Sequence, residues 1–95
     1  MKTIYKYEIK ASLNQLSIPE DAEILTVQMQ GDNPQLWVLL DTEKEKIYRY
    51  FMPFPTGGDM ENILKGQYDQ KNLHAYVGTF QMPQWGAELL ILLYT

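Results

Sequence analysis

The chain has 95 residues, enough for one domain with a thin core. Its net charge of −4 argues against a general nucleic-acid binder, whose affinity comes from Lys and Arg neutralising phosphates. With no cysteine, disulfides and thiolate metal sites are excluded, and a single histidine, His74, cannot build the usual His/Cys zinc sites within one chain.

Met1–Lys10 reads as a strand with one wet face: Tyr5, Tyr7 and Ile9 share one side, Ile4, Lys6, Glu8 and Lys10 the other. Its charges recur every few residues with no apolar centre, unlike a signal peptide. Ala11–Ser17 reads as a turn or a short strand pairing back, and Pro19-Glu20-Asp21 as a turn, since Pro19 has no N–H for a ladder. Ala22–Asp41 is a β-hairpin. Leu25, Val27 and Met29 alternate with Ile24, Thr26, Gln28 and Gln30, and Gly31-Asp32-Asn33-Pro34 supplies the turn. Gln35–Leu40 is apolar on both faces, which predicts a central strand with Trp37 in the core.

Asp41–Lys46 is a charged turn. Lys46–Phe54 is rich in aromatic and β-branched residues and predicts a strand, with Pro53 and Pro55 ending it at an unpaired edge. Thr56-Gly57-Gly58-Asp59 is a flexible bend. Asp59–Lys65 has Asp59 as an N-cap and Glu61 in a first turn, so it predicts one short helix. Leu73–Met82 alternates weakly, Pro83-Gln84-Trp85-Gly86 is a hairpin connection, and Ala87–Tyr94 is a last, almost wholly apolar strand.

These elements predict a single mainly β domain over residues 1–95. Its six to seven antiparallel strands form a single sheet or a small barrel-like meander with at most one short helix, about 59–65. No apolar run approaches the ~20 residues a membrane helix needs. Leu36–Leu40 and Leu89–Tyr94 are apolar on both sides, more than one small sheet can cover. Either the sheet curls on itself or a second subunit meets it. The last strand, placed on a sheet edge, would invite pairing with a copy of itself. A homo-oligomer is therefore expected, with a dimer the commonest form.

Chemistry is sparse. His74 reads as a packed or surface residue, and the carboxylate pairs Glu20/Asp21, Glu43/Glu45 and Asp59/Glu61 read as solvated turns, so no enzyme, cofactor or metal is expected. Thr56-Gly57-Gly58 could turn backbone N–H groups towards an anion, although Asp59 beside it opposes one. Arg49, between Tyr48 and Tyr50, could hold a phosphate, and Trp85 at a hairpin tip could stack on a base or touch a partner. Arg49, Thr56, Gly57, Gly58 and Trp85 are thus the candidate ligand-binding residues.

The order of five segments resembles a family of short, uncharacterised proteins from bacteriophages and bacteria. They are Lys6–Ile9 (KYEI), Pro19–Gln30 with its Pro-x-x-Ala-x-Ile-Leu start, Leu36–Asp41, Thr56-Gly57 and Tyr76–Gln81 (YVGTFQ). Asp59–Leu73 and the Leu-rich ending depart from that pattern. The resemblance implies a small accessory protein of the phage type, acting in the host cytoplasm as a non-enzymatic binding module. It would antagonise host defence by sequestering a small nucleotide-type signal at an oligomer pocket. The alternative is a protein–protein inhibitor that binds and blocks a host defence or regulatory protein.

Overall fold

The computed structural model describes residues 1–57, 59, 75–82 and 90–95. Among them are seven strands: β1 (Lys2–Glu8), β2 (Asn14–Pro19), β3 (Glu23–Gln30), β4 (Asn33–Asp41), β5 (Lys46–Pro55), β6 (Tyr76–Gln81) and β7 (Leu90–Tyr94). There is no helix among the described residues, and the helix expected over Asp59–Lys65 lies outside them apart from Asp59. The expected mainly β class and antiparallel pairing are found. The strands divide between two sheets rather than forming one: β1-β4-β3 and β2-β5-β7-β6.

The β3–β4 hairpin is the local nucleus of the first sheet. Gln30 pairs with Asn33, leaving Gly31-Asp32 as a two-residue loop, and Gly31 has φ +61 while Asp32 keeps a negative φ. A positive φ at the first loop residue alone is the type II′ pattern, whose twist matches the flanking strands. β1 then adds to the other side of β4, from Lys2 opposite Asp41 to Glu8 opposite Gln35. β4 is therefore central, as its two apolar faces predict.

Its two faces have different fates. Leu36, Val38 and Leu40 are buried and meet Ile9, Ile18, Val27, Phe51, Phe80 and Met82 in one core drawn from both sheets. Trp37 and Leu39 point the other way and are only half-buried. The expectation of Trp37 in the core fails because period-two alternation places it opposite the buried trio.

The prolines also behave differently from expectation. β5 does not end at Pro53 but pairs with β7 as far as Pro55 opposite Ile91. Successive N–H groups of a strand point to opposite edges, so Pro53 and Pro55 withhold donors on the same edge, leaving Met52 and Phe54 to serve the other. β2 reaches β5 only as far as Phe51, opposite Asn14. Pro19 closes β2, an edge strand, and its carbonyl accepts a hydrogen bond from Ala22 N at 3.1 Å. β7 is not an edge: β5 and β6 flank it on both sides.

One buried polar side chain fixes the turn between the sheets. Asn14 is 7% exposed; its Oδ1 accepts from Lys10 N at 2.8 Å, and its Nδ2 donates to Ser12 O, Lys10 O and Phe51 O at 2.8–3.3 Å. The side chain supplies partners that the β1–β2 connection cannot find in a ladder. At the opposite corner β6 lies against β3, where Gly78 allows close approach to Val27.

Candidate functional site

Arg49 is on the β5 face that carries Phe51, so it points between the sheets. Its guanidinium donates to the Ala22 carbonyl at 2.8 Å and lies over the Phe51 ring, 5.8 Å from the centroid. Burial lowers its pKa from the usual arginine value, yet a guanidinium stays charged at neutral pH. Arg49 thus ties the second sheet to the β2–β3 connection. Nothing in a single sequence signals this bond, because its partner is a backbone carbonyl 27 residues away.

Thr56 and Gly57 follow β5, and Gly57 has φ +81 with no atom of the other described residues, its chain neighbours aside, within 4 Å of where a Cβ would stand. Thr56 lies seven steps along the extended chain from Arg49, about 23 Å at a strand's rise per residue. One chain does not bring these two together. Gly58 and Trp85, with His74, lie outside the described residues.

The charged turns converge at the other end of β5. Glu20, Asp21, Lys44, Glu45 and Ile47 line an open cleft of about 620 Å3. Lys44 Nζ donates to Asp21 Oδ2, and this bond lowers the Asp21 pKa and raises that of Lys44. Asp41 is held below the usual carboxylate range by the Glu43 backbone N–H at 3.1 Å and then by the Met1 amine at 3.1 Å. Three carboxylates against one lysine give this cleft a negative field, unsuited to a phosphate. Among the described residues no group of three or more His, Cys, Asp or Glu is placed to hold a metal ion. Nor is any helix long and apolar enough to cross a membrane among them.

The feature that residue-by-residue reading missed is the outer face of the first sheet. The register places Ile4, Leu39 and Glu23 in one row, Lys6, Trp37 and Thr26 in the next, and Glu8, Gln35 and Gln28 in a third. Ile4 is 53% exposed, and Leu25, the extra residue of a bulge between Ile24 and Thr26, is 44% exposed. Lys6 Nζ reaches across β4 to Gln30 Oε1 at 2.6 Å. The result is a face with Trp37 at its centre, Ile4, Leu39 and Leu25 on one side of it, the polar row Glu8, Gln35 and Gln28 on the other, and Lys6 and Thr26 beside it. Its signal was in the sequence: Trp37 and Leu39 have the parity opposite to Leu36, Val38 and Leu40.

The chain belongs to the family described as a domain of unknown function (DUF7352), which matches residues 1–90. No curated protein and no solved structure matches the chain.

Proposed function

We propose that the protein is a non-enzymatic binding module that blocks a host defence or regulatory protein, as a phage-type accessory protein in the host cytoplasm. The observation that carries this reading is the outer face of the first sheet. Ile4, Leu25, Trp37 and Leu39 share it, and Lys2, Lys6, Glu8 and Glu23 surround them. A half-buried tryptophan bordering a small apolar patch, with charged and amide side chains beside it, has the composition of a protein contact. The acidic turns beside it, with Glu43 and Glu45 exposed, favour a partner with basic groups at its rim.

The test is affinity purification from host cells with wild type, Trp37→Ala and the pair Glu43→Lys/Glu45→Lys side by side. A host protein retained by wild type and lost from both variants is the expected result. Retention of the same proteins by all three refutes the reading.

A second reading is sequestration of a small nucleotide-type signal by Arg49, Thr56, Gly57, Gly58 and Trp85. The open, left-handed backbone at Gly57 favours it. It requires a homo-oligomer, in which Arg49 of one subunit meets the glycine-rich bend of another. Native mass spectrometry separates the two readings: an added mass of a few hundred daltons per site, lost in Arg49→Ala with the oligomer intact, favours the nucleotide.

A further inference from the structure

β1 is an edge strand of a peculiar kind. Met1 O accepts from Thr42 N at 2.9 Å and Ile9 N donates to Pro34 O at 3.0 Å. Both pairs lie in the β1–β4 register, so the odd residues of β1 turn their backbone groups towards β4. In an antiparallel ladder the alternate residues turn theirs away. Lys2, Ile4, Lys6 and Glu8 therefore present N–H and C=O groups along the outer edge, and among the described residues no strand pairs with that edge.

The other edges are guarded. β3 is bulged at Leu25 and lies against β6. β6 is irregular between Tyr76 and Gly78, and β2 is closed by Pro19. Bulges, prolines and covering elements are the usual protections of a sheet edge. β1 is seven residues long, with no bulge and no proline in it.

We propose that β1 pairs antiparallel with β1 of a second copy across a two-fold axis, joining two three-stranded sheets into one of six. The charges select the register. With Tyr5 opposite Tyr5, Lys2 faces Glu8 of the second copy and Glu8 faces its Lys2, while Ile4 and Lys6 face each other. All seven residues of both strands overlap, and the outward backbone groups meet in four hydrogen-bonded pairs, about eight bonds. Shifting by one pair in one direction sets Lys2 against Lys6, and in the other sets Lys6 against Lys6. Like charges directly opposite oppose pairing, and the two-pair shift that sets Lys6 against Glu8 overlaps only Lys6–Glu8 of each strand, so the central register wins on complementarity and overlap together. The Tyr5 ring, 43% exposed and edge-on to Tyr7 at 6.4 Å, would meet its counterpart at the axis.

The joined sheet doubles the outer face that carries Trp37. Only the use of that doubled face rests on the proposed function; the dimer itself is tested without partner or ligand.

The experiment is sedimentation equilibrium on wild type, Lys2→Glu, Glu8→Lys and the double swap. Lys2 and Glu8 are both exposed, so the fold tolerates either change. Each single reversal turns two symmetric attractions into two repulsions and is expected to weaken the dimer about tenfold. The double swap restores the complementarity and returns the dissociation constant to the wild-type range. Amide exchange gives an independent reading: Ile4 and Lys6 N–H become protected as concentration rises, while Tyr5 N–H is protected throughout. A wild type that stays monomeric at millimolar concentration overturns the proposal. So does a dimer indifferent to the single reversals, or a double swap as weak as either one.

Discussion

A Cβ on Gly78 would stand 2.5 Å from Val27 Cγ1, whereas ordinary contact begins at 3.4 Å. Gly78→Ala therefore forces β6 and β3 apart by the difference, 0.9 Å. Val27 cannot step aside: it is β-branched with a stiff χ1, is 4% exposed, and packs within the shared core. Overpacking of this kind costs about 1–3 kcal/mol. In a Val27→Ala background the clashing methyl is gone and the nearest remaining atoms are 3.8 Å away, an ordinary contact. There Gly78→Ala becomes neutral, or gains a few tenths of a kcal/mol from a stiffer unfolded chain. Val27→Ala itself destabilises by deleting buried methyl groups. The double-mutant cycle should thus show about 1–3 kcal/mol of coupling in favour of the double variant. Urea unfolding followed by tryptophan fluorescence reads it, at one fixed protein concentration because assembly shifts apparent stability. With an m-value of about 1–2 kcal/mol per molar for a chain this small, the Gly78→Ala midpoint falls by roughly 1 M. An unchanged midpoint, or an equal loss in both backgrounds, refutes the close approach of β6 to β3.

Asn14→Leu removes a side chain that holds Lys10, Ser12 and Phe51 backbone groups, and should cost about 2–3 kcal/mol. Asn14→Asp should cost nearly as much, because a carboxylate cannot donate to three carbonyls; wild-type stability in either variant would contradict this. Arg49→Ala leaves the Ala22 carbonyl without its donor and uncovers Phe51, an expected loss of about 1–2 kcal/mol by thermal or chemical unfolding. The lowered pKa values of Asp21 and Asp41 contribute stability that is present above about pH 4, the unfolded carboxylate value, and is lost as pH falls through their folded values. Lys44 is raised, so its share persists below about pH 10 and fades as pH climbs through its folded value. These groups lie in solvent, so the changes are small. Melting temperatures should fall less between neutral and strongly acid pH in Asp21→Asn than in wild type, and an equal fall counts against the ion pair.

Legibility followed the range of the interaction. The β3–β4 hairpin could be read because its alternation and its Gly31-Asp32 loop are local signals. The central place of β4 could be read from its apolar composition on both faces. What failed depended on distant pairing. Pro19, Pro53 and Pro55 look like strand breakers until the edge each faces is known. β7 looks like an edge until β6 is seen beside it. The candidate site fared the same way. Arg49 stood out as a cation among aromatics, but its bond to Ala22 O depends on how two sheets close. Trp37 reads as core from its apolar strand, but parity gives two faces and only the partner sheet decides which one is dry.

The strand order β1-β4-β3 also dictates how the chain folds. β3 and β4 are neighbours in sequence and can zip from their two-residue loop within microseconds. β1 must wait, because β4 lies more than two dozen residues downstream of it and closing that loop carries an entropic cost before any bond rewards it. Substitutions in the hairpin should therefore slow refolding, whereas those in β1 should chiefly speed unfolding. The edge available for a second copy is then the last strand of the first sheet to be laid down. Chains holding only the hairpin lack it, so association through β1 is restricted to molecules whose first sheet is complete.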